Sequence, residues 1–324
     1  MAIRLHLMAM APPSLFMIIG AFVLTITTIL VPVTNAFSLT SGKLNGNTSF
    51  TTYNKSELTI SKNNSASLLK QLGLYTISQH LNDTISNLMD IAEASMNRSN
   101  SFGKLPQVNL TSDMKIKYHG IRSDQELEKR NQAKELLANN KALLYVGLLL
   151  PNGDRYFGEP YSPYQTNSSV TNFAYREHFV GALKTKQPYL SHVFKAVTTG
   201  EPLAILASPI YADVKNHRSL IGVQVLGLNF SYLNEMIKSI MPTTGNGNKR
   251  MVIVDNNGTE IADSSFNNNN KLESFKNLQS FQNAKNGQTG LLTEKVNGKN
   301  MSISYTPIKF AQTNWVALLF SSNN

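Results

Sequence analysis

One pattern constrains this chain more than any other, because it occurs twice. The run Ala142-Leu143-Leu144-Tyr145-Val146-Gly147-Leu148-Leu149-Leu150 leads into Pro151-Asn152-Gly153-Asp154 and then Arg155-Tyr156-Phe157-Gly158. Met251-Val252-Ile253-Val254-Asp255 leads in the same way into Asn256-Asn257-Gly258 and Thr259-Glu260-Ile261-Ala262-Asp263. An apolar run answered by another across an Asn-Gly turn reads as an antiparallel hairpin, since the turn needs residues that tolerate a positive φ. Each hairpin opens a sheet. With 324 residues, 41% of them hydrophobic, the chain can supply more than one core.

The segments around the hairpins predict an α+β chain with helices flanking antiparallel sheets. Leu68, Leu69, Leu72, Tyr75, Ile77, Leu81, Ile85, Leu88, Met89 and Ala92 keep helical spacing, which predicts a long amphipathic helix over about 66–96. Gly103 and Pro106 break it within 97–110, and a charged helix follows over 124–140. Asn172 is placed to cap a helix over 173–184. The runs 189–197 and 203–212, separated by Thr199-Gly200-Glu201-Pro202, read as adjacent antiparallel strands. The apolar stretch between Arg218 and Asn229 reads as a central strand covered on both faces. A short helix over 232–241 ends at Pro242 and the Gly245-Asn246-Gly247-Asn248 run, the best boundary in the chain. Beyond it, the second hairpin is followed by a helix over 272–284 and strands near 290–296, 300–310 and 315–320.

The N-terminus predicts export. From Leu15 to Val33 there is no charge, and this run approaches the ~20 residues that span a bilayer. It reads as an uncleaved anchor, the alternative being cleavage after Thr34-Asn35-Ala36. Residues 38–65, rich in Ser, Thr, Asn and Gly, read as a polar linker. Asn-x-Ser/Thr triplets starting at Asn47, Asn54, Asn63, Asn82, Asn97, Asn109, Asn167, Asn229, Asn257 and Asn300 agree with an outside location and glycosylation.

Composition narrows the function. Without cysteine there is no disulfide, thiolate metal site or cysteine nucleophile. The net charge of +10 comes from scattered Lys and Arg with no basic stripe, which argues against nucleic acid and leaves an acidic ligand compatible. The six histidines form no His-x-x-x-His pair, and nothing points to a metal or a cofactor. Ser208, His178 and Asp213 lack a nucleophile elbow, so catalysis is not expected.

A more specific signal lies between Asn172 and Leu228: Tyr175-Arg176-Glu177-His178-Phe179, Thr199-Gly200, Pro209-Ile210-Tyr211 and Gly222-Val223, in that order. This order resembles the double Cache (dCache) family of extracytoplasmic sensors, over roughly 66–321. The resemblance implies a long N-terminal helix and two tandem PAS-like modules, a membrane-distal one over 111–241 and a membrane-proximal one over 242–324. It places a small-molecule ligand in the distal module, against Tyr161, Tyr164, Tyr175, Arg176, His178, Phe179, His192, Phe194 and Tyr211. That set offers aromatic walls, imidazoles and a guanidinium able to grip a carboxylate. The acids that hold an α-amino group in the amino-acid-binding branch are missing here, where Phe194-Lys195-Ala196 and Gly227 stand in their places. A carboxylate, another anion or a neutral metabolite is therefore expected in preference to an amino acid held in that manner. The long helix also offers a homodimer stripe. The chain stops soon after Trp315, where a receptor of this family enters a second span, so the expectation is either a sequence truncated there or a protein that passes its ligand or signal to a separate signalling partner. The alternative function is a surface-anchored or secreted adhesion protein on the same fold.

Overall fold

The computed structural model describes residues 55–96, 101–166, 168–214, 217–240, 249–265, 272–310 and 313–322. Backbone contacts separate residues 1–58 from a compact unit, Thr59–Asn324. The run Leu15–Val33 lies outside the described residues, and among those described no helix is long and apolar enough to cross a membrane.

Helix α1 runs from Lys55 to Met96, so the last part of the predicted polar linker is helical. Residues 55–65 hold neither Pro nor Gly, and extending an existing helix is far easier than starting one. Its described part buries Leu74, Ile77, Leu81, Ile85, Leu88 and Ala92, three or four residues apart, while Leu72 and Tyr75 face outward. That stripe belongs to one continuous cluster with Val146, Leu206 and Leu226 of the first sheet and Met251, Ile253 and Leu319 of the second.

The first module comprises α2 (Ser112–Tyr118), α3 (Leu127–Asn139), β1 (Leu143–Leu149), β2 (Arg155–Glu159), the single turn α4 (Tyr161–Tyr164), α5 (Glu177–Thr185), β3 (Tyr189–Leu190), β4 (Phe194–Lys195), β5 (Pro202–Leu203), β6 (Ile205–Val214), β7 (His217–Leu228) and α6 (Phe230–Ile240). Its antiparallel sheet has the order β2-β1-β7-β6-β3. The second module comprises β8 (Lys249–Val254), β9 (Glu260–Asp263), α7 (Gln279–Lys285), β10 (Gly290–Val296), β11 (Lys299–Lys309) and β12 (Asn314–Ser322). Its order is β9-β8-β12-β11-β10, the same wiring again.

Two local expectations fail for stated reasons. The helix predicted from Phe173 begins only at Glu177, because Phe173 to Arg176 forms a turn closed by the Arg176 amide on the Phe173 carbonyl. Asn172 does not cap that helix; its side chain spans to the Asn152 carbonyl and the Asp154 carboxylate of the hairpin. The strands predicted over 189–197 and 203–212 are not one ladder. Tyr189 and Leu190 pair with β6, whereas Phe194 and Lys195 pair with Pro202 and Leu203 in a ribbon of their own.

The modules share their turn as well as their wiring. Gly153 and Gly258 sit at φ +83° and +77°, and a Cβ on either would lie within 2.7 Å of backbone, at Ala174 or Lys276. The Phe173 amide donates to the Gly153 carbonyl and the Phe275 amide to the Gly258 carbonyl, both at 2.7 Å. Arg155 and Glu260 donate their amides to Thr171 and Glu273 in the same relation. On this frame Arg155 corresponds to Glu260, Phe173 to Phe275, Arg176 to Leu278 and His178 to Ser280.

Candidate functional site

The face of the first sheet turned away from α1 is covered by α5, the β4–β5 ribbon and the segment around Phe173. Between them lies a cavity of about 50 Å³ lined by Tyr145, Leu149, Arg155, Tyr164, Phe173, Arg176, His178, Phe194, Ala196, Val197, Thr198, Leu203, Ile205 and Val225. The corresponding face of the second module is packed by Phe275, Phe281, Phe320 and Leu278.

The lining is largely apolar, its polar side chains being those of Arg155, Arg176, His178, Tyr145, Tyr164 and Thr198. Arg155 comes from the first position of β2 and is 3% exposed. Its Nη1 donates to the Tyr164 and Gln165 carbonyls and its Nη2 to Ser168 Oγ, while the guanidinium lies 4.8 Å over the Phe173 ring. The Tyr145 hydroxyl also interacts with this side chain, while Nε itself is buried with no partner in hydrogen-bond geometry. Burial depresses the Arg155 pKa, yet an arginine keeps its proton at any physiological pH. Arg176, the residue that precedes α5, places its guanidinium 5.2 Å over Tyr175 and 5.4 Å over Phe194, and its Nε is likewise buried and unpartnered. Among the described residues neither arginine forms a salt bridge with a carboxylate.

His178 follows in the first turn of α5, stacked on Phe194 at 5.7 Å and 5% exposed. Burial, with the Arg176 charge beside it, pushes its pKa down to about 3, so the imidazole is neutral. Its Nδ1 also lacks a partner. Such orphaned groups are rare in folded interiors and call for an acceptor. Tyr145 fills the floor, its ring 5.6 Å from Tyr164. It fits because β1 and β2 carry Gly147 and Gly158 beneath it.

Of the residues proposed from sequence, the structure brings Tyr164, Arg176, His178 and Phe194 to the cavity wall. Phe179 is core, on the α5 face that meets the sheet. Tyr161 lies beside the Arg130 guanidinium, Tyr175 is 65% exposed, and Tyr211 is half-buried on β6. His192 sits outside the cavity with Nδ1 2.7 Å from the Glu177 carboxylate. Sequence reasoning missed Arg155, Tyr145 and Phe173. In the sequence Arg155 stands only as a cation heading the short run Tyr156-Phe157-Gly158 after an Asn-Gly turn, and its burial emerges with the fold.

Comparison with known proteins agrees with the geometry. No curated protein matches the sequence. Solved structures match at low identity, which speaks to the fold. An extracellular ligand binding receptor from Desulfohalobium retbaense DSM5692 is 17% identical with a TM-score of 0.52, over 78% of this chain and 40% of that one; this chain thus spans two fifths of that receptor's length. The ligand-binding domain of the Pseudomonas aeruginosa PAO1 amino acid chemoreceptor PctB, in complex with L-Arg, is 12% identical with a TM-score of 0.54, over 79% and 94%. That of the Pseudomonas fluorescens chemoreceptor CtaA, in complex with L-isoleucine, is 14% identical with a TM-score of 0.52, over 83% and 96%. The sequence profile described as Cache domain matches residues 55–321. A repeated sheet order, a long leading helix and a match over most of its length place this chain in the Cache-domain family, in its double (dCache) form.

Proposed function

We propose that this chain is the ligand-binding part of an extracytoplasmic sensor and that the cavity of its first module receives a small anionic molecule. The observation that carries the proposal is that Arg155, Arg176 and His178, each with one buried and unpartnered ring or guanidinium nitrogen, line one aromatic-walled cavity. Guanidinium donors without acceptors in a largely apolar site favour a ligand that supplies the acceptors. Two guanidiniums without an acid favour one that supplies negative charge. Related chemoreceptor domains have been solved with L-Arg, L-isoleucine and GABA. Here no Asp or Glu lines the cavity, so an α-amino group would find no counter-charge.

The apolar run Leu15–Val33 supports tethering to a membrane with the modules outside. Occupancy of the cavity has a route onward. The Glu177 carboxylate, next to His178, accepts bonds from Tyr189 Oη and the His192 amide, and the neighbouring Val193 amide donates to Asp255 of the second module at 3.0 Å. A thermal-shift panel of organic acids, amino acids and purines on the full chain tests the reading. Organic acids should raise Tm by several degrees; no shift with any compound, on a protein that unfolds cooperatively, would sink it.

A further inference from the structure

The second module shows what the first is missing. Its cavity equivalent is filled, and at the N-terminus of α7 the Glu294 carboxylate accepts the amides of Gln279, at 2.6 Å, and Ser280, at 2.9 Å. In the shared frame those amides correspond to Glu177 and His178 of α5. Among the described residues, neither of these two amides donates to any group. They open a nine-residue helix whose N-terminal end attracts negative charge, immediately after Arg176. The first module thus keeps the seat that Glu294 fills in the second, and it has added two cations there, with Arg176 in place of Leu278 and Arg155 in place of Glu260.

We propose that the cavity takes a short dicarboxylate. One carboxylate sits at the first turn of α5, on the Glu177 and His178 amides beside Arg176, in the way that Glu294 sits on α7. The other lies against the Arg155 side chain. This assignment rests on the small-ligand reading above and names its chemical class. Two positive charges at the cavity wall answer two negative ones, and a single carboxylate leaves one guanidinium without a counter-charge. Arg155 is held by three bonds to the 164–168 segment and cannot swing out to solvent, so the second charge is set before any ligand arrives. The small volume restricts the ligand to a few carbons.

Calorimetric titration of the full-length protein with malonate and succinate, against propionate and butyrate of matching length, tests the class. Glycine and inorganic phosphate serve as further arms. The expected result is that at least one dicarboxylate binds ten-fold or more tighter than its matching monocarboxylate, and that Arg155→Gln narrows this ratio. Arg155 also holds a loop, so the variant can fail to fold; the wild-type ratio then carries the test alone. A monocarboxylate, glycine or phosphate that binds as tightly as the best dicarboxylate overturns the dicarboxylate assignment and leaves the small-ligand reading standing. Absence of binding by any small molecule in the wider panel overturns both.

Discussion

At the scale of single residues, the site works by holding polar groups where water cannot reach them. His178 is the clearest case. Its unfolded form takes a proton at the ordinary histidine pKa of about 6.5, whereas burial, reinforced by Arg176, keeps the folded form neutral down to about pH 3. A depressed pKa means that the folded state binds fewer protons than the unfolded state between those values. The contribution of His178 to stability is therefore complete above about pH 6.5 and is lost as pH falls toward 3, by at most about 1.4 kcal/mol per pH unit. His178→Phe preserves the stack on Phe194 and should flatten this acid slope. Urea unfolding between pH 7 and 4 measures it, and a variant with the wild-type slope would contradict the assignment. Gly158 acts through space. A Cβ there would stand 2.6 Å from Tyr145 Oη and 2.7 Å from its Cε2, so Gly158→Ala must push the ring that floors the cavity. Ligand affinity should fall ten-fold or more while Tm moves by only a few degrees, and unchanged affinity would show that the floor does not matter.

At the scale of elements, the wall that presents Arg155 and Tyr164 depends on a buried ion pair behind it. Arg130 of α3 is fully buried and donates to Glu159 at 2.6 Å, to the Gln125, Ile121 and Arg122 carbonyls, and to Gln165. Glu159 in turn accepts the Tyr161 amide, which fixes the start of α4. Glu159→Gln leaves the Arg130 charge uncompensated in the interior and should destabilise the protein by about 3–5 kcal/mol. Denaturant unfolding gives the number, and a loss below about 1 kcal/mol would mean that the pair is not a keystone. None of this pairing shows in the sequence, because its partners are far apart in the chain and joined through carbonyls that every residue carries. What periodicity reaches is different in kind. The stripe from Ile77 to Ala92, the hairpins at Gly153 and Gly258 and the central strand β7 follow from local spacing and turn chemistry and were legible, whereas Leu72 and Tyr75, expected in the stripe, face outward and Leu74 is buried in their stead. Asn172 illustrates the limit: its Oδ1 accepts the Ala174 amide as a cap would, but its Nδ2 is tied to Asn152 and Asp154 and the chain makes a turn over 173–176 before α5 begins. The site was half legible for the same reason. Arg176 and His178 stand on one helix, whereas Arg155 joins them only through the folding of the sheet.

At the scale of the whole molecule, two copies of one frame differ in that the first holds a cavity where the second is packed, and the two are joined by a hydrogen bond between Val193 and Asp255. Asp255, 2% exposed, accepts the Asn257 and Thr259 amides with Oδ1, which shapes the second hairpin turn, and the Val193 amide of the first module with Oδ2. His192, one residue before Val193, is tied to Glu177 by both its amide and its Nδ1. Closing α5 around a ligand therefore pulls on a chain of hydrogen bonds that ends in the turn of the other module. A packed chain of this kind transmits only if breaking it uncouples the ends without harming either. Asp255→Asn supplies that break, because its Oδ1 can keep the turn while its amide nitrogen cannot accept the Val193 amide. In the wild type, ligand should slow hydrogen exchange both around α5 and in the turn at Asn256-Asn257-Gly258. In the variant, affinity should stay within about two-fold and the slowing around α5 should persist, while the effect on the second turn disappears. Slowing that persists in both places would mean that coupling runs instead through the core shared with α1, where Leu226 and Met251 lie in one cluster.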